Sequence, residues 1–151
     1  MKTHFVKLFT TFFYIGYFPK APGSVASIAG VALYCLLHAH LSVYVGILVA
    51  ITIIGFLTSG EMERILNQKD PSCVVIDEVA GMMVALVMLP AIPLVVISAY
   101  ALFRFFDIFK TYPINKLEAL EGGTGIMLDD LMAGFYTNVL MHIAVKLVGI
   151  L

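Results

Sequence analysis

Ala21-Pro-Gly-Ser-Val-Ala-Ser-Ile-Ala-Gly-Val-Ala-Leu-Tyr-Cys-Leu-Leu-His-Ala-His40-Leu-Ser-Val-Tyr-Val-Gly-Ile-Leu-Val-Ala-Ile-Thr-Ile-Ile-Gly-Phe-Leu-Thr-Ser-Gly60 contains no Asp, Glu, Lys or Arg. A spanning helix needs about 20 largely apolar residues, so this stretch has room for two. They are placed at 24–40 and 42–59, joined by the uncharged loop His38-Ala-His40-Leu-Ser42. The rest of the chain fits that reading. It has 151 residues, 61% of them hydrophobic and 13% charged, with a mean hydropathy of +1.00. A soluble domain runs about 45–50% apolar and about 25% charged, so the balance points to a membrane protein. Nine basic residues against ten acidic give a net charge of −1, which leaves no basic field for nucleic acid.

Two further charge-free runs, 79–103 and 131–145, extend the pattern. Pro90-Ala-Ile-Pro93 interrupts the first, because proline ends or kinks a helix at the residue before it. The expected spans are then 74–89, 93–109 and a last one from Leu131 to the C-terminus, with Lys146 near its far end able to snorkel. The third and fourth are short, which suits a tilted or re-entrant arrangement. Lys2, Lys7 and Lys20 precede the first span, Arg64 and Lys69 follow the second, and Lys110 and Lys116 follow the fourth. All fall on one side, which the positive-inside rule makes cytoplasmic.

Ahead of the spans, Phe5, Leu8, Phe9, Phe12, Phe13 and Gly16 recur at helical spacing, opposite Thr3, His4, Lys7, Thr10 and Thr11. This predicts an amphipathic helix over 1–18 that lies in the membrane interface or packs on the core. No signal-peptide cleavage pattern follows it. The predicted architecture is therefore an all-α polytopic membrane bundle of about four to five spans plus an N-terminal interfacial helix. It forms one domain over 1–151, with the bundle at 19–151. Cys35 and Cys73 fall in or beside different spans without metal-type spacing, and read as small buried hydrophobes rather than a disulfide.

Polar chemistry gathers in four segments, all at cytoplasmic ends of spans. Pro19-Lys-Ala-Pro-Gly-Ser24-Val-Ala-Ser27 enters the first span; Ser24 is suited to cap the helix, and free N–H groups there favour phosphate. Asp77-Glu78, with Gly81 one turn on, opens the third span. Arg104, Asp107 and Lys110 lie along one broad side of the fourth, where Asp107 could simply bridge the two bases. Gly122-Gly-Thr-Gly125-Ile-Met-Leu-Asp129-Asp130, followed by Gly134, is a glycine-rich turn running into a helix. Taken singly, each has a bland reading as a cap, an internal ion pair or a dipole-compensating acid. Together they put Asp77, Glu78, Asp107, Asp129 and Asp130 beside membrane-buried runs, against Arg104, Lys110 and Lys20. Ionisable groups placed there mark a functional site. Oxygen-only ligands without His or Cys point to Mg²⁺ joined to a substrate phosphate. His4, His38, His40 and His142 lie outside these segments, which disfavours a histidine nucleophile or base.

The same segments, with Asp77-Glu-Val-Ala-Gly81, Phe103-Arg-Phe-Phe-Asp-Ile-Phe-Lys110, Pro113-Ile114 and Ala133-Gly134, resemble the motifs of the phosphatidylglycerophosphatase A family. The resemblance covers about residues 16–138 in the family's order, and its last motif is the most specific. It implies a Mg²⁺-dependent phosphatase of the bacterial inner membrane, multi-pass, with its active site on the cytoplasmic face. The implied reaction converts phosphatidylglycerophosphate and water to phosphatidylglycerol and phosphate. Two departures stand out: Ala26 where the family usually has glycine, and Lys110-Thr-Tyr-Pro113 where it has a Lys-Pro-Trp-Pro-like run. Neither removes a carboxylate or a base.

The expected site is then as follows. Asp77, Glu78, Asp129 and Asp130 supply the Mg²⁺ ligands. Lys20, Ser24, Ser27, Arg104 and Lys110 bind phosphate, and Asp107 orients the bases or completes the metal shell. Attack by activated water and attack by an aspartate forming a phosphoenzyme are both compatible with these residues. An ion- or proton-coupled transporter is the alternative, and it predicts carboxylates spread through the membrane depth. A non-catalytic scaffold would instead need them ion-paired.

Overall fold

A computed structural model describes residues 2–150 and leaves Met1 and Leu151, the ends of the expected domain, outside the described residues. Regular structure among the described residues is entirely helical: α1 Lys2–Thr10, a 3₁₀ turn at Ile15–Tyr17, α2 Pro22–Leu37, α3 Leu41–Leu66, α4 Ile76–Leu86, α5 Pro93–Phe109, α6 Ile114–Glu118 and α7 Gly123–Leu147. Pro93 opens α5, and Lys110, with a left-handed φ of 42°, closes it. Proline fits a first helical position because its missing N–H is unpaired there anyway. Pro22 opens α2 in the same way, after Ala21 in a left-handed conformation. Ser24 therefore lies inside the first turn and does not cap the helix, contrary to the sequence expectation.

The axis of the molecule is α4, which α2, α3, α5 and α7 surround. All of its residues except Glu78 and Val84 are buried. The expected span at 74–89 shrinks to 11 helical residues. At 1.5 Å per residue that is roughly 16 Å, about half of a hydrocarbon core. A helix that stops inside a bundle leaves its last four carbonyls without intrahelical partners, and here each of them finds one. Tyr44 donates its hydroxyl to the Met83 carbonyl at 2.6 Å, and the Asn138 amide donates to the Ala85 carbonyl at 3.0 Å. The Val84 and Leu86 carbonyls accept from the backbone N–H groups of Val87 and Leu89. Tyr34 donates to the Leu89 carbonyl at 2.6 Å and the Asn138 amide also reaches Val87. Side chains from α3 and α7 thus meet the last carbonyls of α4, and Tyr34 of α2 holds the turn beyond them.

Close approach at the α4–α7 seam rests on two glycines. A Cβ on Gly81 would sit 2.6 Å from the Asp130 carbonyl oxygen, and one on Gly134 would overlap the Gly81 carbonyl oxygen. Outward faces are apolar: Ile28, Leu36, Ile53, Leu57, Leu94 and Ile97 are all more than half exposed. α3, with 26 residues, is long and apolar enough to cross a membrane, and only 17% of its most apolar stretch is buried. That low burial separates it from the core helix of a soluble protein.

The N-terminal segment departs from its expected facing at some positions, while Thr3 and His4 stay exposed and Phe12 packs on the core. Thr10 and Thr11 are buried, while Phe5 and Phe13 are exposed. The threonine hydroxyls can face inward because each returns its proton to the helix, Thr10 to the Val6 carbonyl at 2.8 Å and Thr11 to that of Lys7 at 2.7 Å. The continuous helix predicted over 1–18 is cut at Thr10, and left-handed Phe12, Phe13 and Tyr14 turn the chain into the 3₁₀ segment.

Candidate functional site

The N-termini of α2, α4 and α7 and the C-termini of α3 and α5 meet at one end of the bundle. The 38–40 and 87–92 turns lie at the other, tied together by the Tyr34 and Tyr44 bonds to Leu89 and Met83. His38 and His40 fall at that far end, away from the acids.

Asp77 and Glu78 stand in the first turn of α4, and Asp130 in α7 comes to them across the Gly81–Gly134 seam. Each of the three offers a carboxylate oxygen, and those oxygens lie within 4.8 Å of one another. Asp77 Oδ1, Glu78 Oε2 and Asp130 Oδ2 are buried without a hydrogen-bond partner. Buried carboxylate oxygens are rarely left so, and an all-oxygen set of this kind suits a hard divalent cation. The residues present therefore fit Mg²⁺.

Asp129 lies outside that trio. Its Oδ2 accepts from Lys110 Nζ at 2.8 Å and its Oδ1 from the Asp130 backbone N–H at 2.9 Å. Lys110 also holds Glu118 of α6 at 2.8 Å. Burial works against the ammonium, but its bonds to Asp129 and Glu118 outweigh that and hold its pKa above the ordinary lysine value. The left-handed turn at Lys110 takes the residue out of the α5 register. Asp107 therefore pairs with Arg104 alone, at 2.6 Å, and does not bridge the two bases as the helical spacing suggested.

Arg104 reaches Ser27 Oγ at 3.5 Å through the nitrogen that holds Asp107, and its Nε is buried without a partner. Ser27 donates to the Gly23 carbonyl at 2.9 Å. Gly23 is what lets α2 come this close, since a Cβ there would overlap the Glu78 carboxylate and lie 3.5 Å from Arg104 Nη1. The geometry thus brings together Ser27, Asp77, Glu78, Arg104, Asp107 and Asp130, with Lys110 and Asp129 as an adjoining pair. Lys20 is exposed and enters no ion pair among the described residues. Ser24 contributes its carbonyl to the Tyr100 hydroxyl at 3.3 Å.

Comparison with known proteins gives the family. The family model for phosphatidylglycerophosphatase A matches residues 8–145. The chain belongs to the phosphatidylglycerophosphatase A family. A Bacteroides thetaiotaomicron protein, provisionally named phosphatidylinositol-3-phosphatase, is 38% identical over 94% of each chain. Phosphatidylglycerophosphatase A of Haemophilus influenzae is 32% identical over 83% of this chain and 80% of its own. That of Escherichia coli is 29% identical over 79% and 71%. No solved structure matches the chain.

All three glycines of the seams at Gly23, Gly81 and Gly134 fall inside the stretch matched to the phosphatidylglycerophosphatase A family. Reading the sequence missed Glu118, because a single acid on a polar stretch looks like solvated surface until the fold sets it against Lys110. It also missed Tyr34, Tyr44 and Asn138. Polar side chains within apolar runs were the available signal, since a buried hydroxyl or amide demands a partner.

Proposed function

We propose that this protein is a multi-pass phosphatase of the bacterial inner membrane that hydrolyses phosphatidylglycerophosphate to phosphatidylglycerol and phosphate, with Mg²⁺ as cofactor. The observation that carries this reading is the trio of partnerless carboxylate oxygens on Asp77, Glu78 and Asp130, set beside a guanidinium with a free Nε. Asp77, Glu78 and Asp130 would hold the ion, which when bound acts as a Lewis acid toward a phosphoryl oxygen. Arg104 takes the phosphate through its free donors, with Asp107 and Ser27 fixing the plane of the guanidinium. Lys110 adds a second positive charge, and Asp129 and Glu118 hold it in place. Hydrolysis transfers the phosphoryl group to water and breaks the P–O bond to glycerol, and one proton of that water ends on the leaving oxygen to give the alcohol.

The apolar outer faces of α2, α3, α5 and α7 support several membrane-crossing segments, with the 38–40 and 87–92 turns at the far face and the charged end toward the cytoplasm. Crowding of the carboxylates at one end, rather than through the membrane depth, speaks against a coupled transporter. The name of the Bacteroides relative favours a second substrate with the same chemistry, a phosphomonoester on an inositol headgroup.

The test is phosphate release by purified protein from each lipid, with Mg²⁺ and with chelator. Chelator-sensitive release that Asp77→Asn and Asp130→Asn abolish is the expected result. Release that survives chelation, or near-normal turnover in both variants, would overturn the reading.

A further inference from the structure

Lys110 Nζ carries two carboxylates, Asp129 Oδ2 and Glu118 Oε1, each at 2.8 Å. An ammonium has three N–H donors and a single positive charge. Two of its donors are taken, and the paired carboxylates together outweigh its charge by one. An anion drawn to the third donor would therefore stand beside a group that is negative on balance. Lys110 meets a phosphate well only when one carboxylate withdraws.

The two are not held alike. Asp129 is 6% exposed, stands in the second turn of α7 and accepts a further bond from the Asp130 backbone N–H at 2.9 Å. Glu118 is 43% exposed, and its side chain makes no other hydrogen bond or ion pair among the described residues. It closes α6, a helix of five residues anchored by buried Ile114. Beside it opens a recess of about 400 Å³ walled by Lys69, Asp70, Asn115, Glu118 and Ala119. The carboxylate thus has space and water to move into. Lys69, which enters no ion pair among the described residues, lines the same recess. Exposed ion pairs contribute little, whereas a phosphomonoester brings a charge of about −1.5 to −2 at neutral pH. Exchange of Glu118 for the phosphate is therefore favourable, and exchange of Asp129 is not.

We infer that Glu118 is a displaceable partner of Lys110: it holds the place of a phosphate oxygen between turnovers, leaves when a phosphomonoester binds, and returns as phosphate departs. The inference rests on the phosphatase reading above, in which Lys110 binds phosphate. It gives Glu118 control of phosphate affinity and leaves Asp129 to keep Lys110 in position throughout.

The full chain in detergent with Mg²⁺ is tested with inorganic phosphate as the probe. Equilibrium dialysis gives its Kd, and turnover of phosphatidylglycerophosphate gives KM and kcat. Glu118→Gln should bind phosphate about three- to fivefold more tightly, the scale of a half-exposed ion pair. The KM for the lipid should fall by a similar factor. Glu118→Ala should show the same gain, which guards against a defect peculiar to the amide. A residue that merely fixed Lys110 would give the opposite sign. Weaker or unchanged phosphate binding in folded Glu118 variants would therefore overturn the inference, as would a fall in kcat with KM unchanged.

The gain must also pass through Lys110. In a Lys110→Met background, Glu118→Gln should leave the Kd for phosphate unchanged. An equal gain there would reduce the effect to loss of a surface charge and overturn the inference. If the wild type releases phosphate from no lipid while the Lys110-dependent gain persists in dialysis, the phosphatase reading falls and the role of Glu118 stands. Absence of phosphate binding in wild type and variants alike would overturn it.

Discussion

Lys110 Nζ and Asp129 Oδ2 lie 2.8 Å apart, joining the end of α5 to the second turn of α7. The lysine side chain is 24% exposed and the carboxylate 6%, so the pair is largely withdrawn from water. Removing one partner strands the other, which makes this contact testable on its own.

Lys110→Met should destabilise the fold by about 1–3 kcal/mol, the range for losing a charge-assisted hydrogen bond to a buried group. Adding Asp129→Asn should return part of that loss, because the carboxylate is no longer left unpaired. Thermal unfolding in detergent of the four proteins of the cycle gives the coupling. Additive losses would show that the two residues do not act as a pair.

The pair also sets a sign for pH. Lys110 has a raised pKa in the fold, so its stabilisation is complete below the free lysine value of about 10.4. It is lost only as pH climbs through the folded value. Unfolding midpoints of wild type and Lys110→Met should therefore differ by a constant amount from neutral pH to about 9 and converge in stronger base. Convergence near neutrality would contradict the pairing.

Mg²⁺ should stabilise the protein by occupying Asp77, Glu78 and Asp130. Ligand that binds only the folded state adds about 1.4 kcal/mol for each tenfold rise in concentration beyond its Kd. The melting temperature is expected to climb with Mg²⁺ in the wild type and to stay flat in Asp130→Asn. An equal rise in both would remove Asp130 from the metal set.

Gly134→Ala should weaken α4–α7 packing by about 1–3 kcal/mol, the usual range for overpacking, because the added methyl meets the Gly81 carbonyl oxygen. Gly46→Ala is the control. Nothing lies within 4 Å of its Cβ position, so the substitution should be neutral or stabilise α3 by up to about 1 kcal/mol through helix propensity. Parallel denaturation of the two variants checks the contrast.

Tyr44→Phe removes the donor to the Met83 carbonyl and leaves that buried acceptor unmet, which should cost about 1–3 kcal/mol. Asn138→Leu, which strips two carbonyls, should cost more. Equal stability of both variants and wild type would mean that α4 needs no side-chain termination.

Much of this molecule is legible along the chain. Hydropathy locates α2 and α3, and proline placement fixes the start of α5, because a helix start at Pro93 follows from local backbone geometry. The acids and bases of the site stand out for a similar reason, since a charge beside an apolar run is costly wherever the chain goes. Local pattern does not say which of them meet. Adjacent Asp129 and Asp130 look equivalent in sequence, yet neighbouring residues on a helix point about 100° apart. One faces Lys110 and the other faces Asp77 and Glu78. The length of α4, the partners of its carbonyls and the inward turn of Thr10 and Thr11 were likewise settled between elements distant in the chain. Composition and periodicity thus determined a strongly apolar, helical chain and picked out the acids and bases of the candidate site. Only the tertiary structure decided which carboxylates stand unpartnered together, because that depends on how closely glycines let the helices approach.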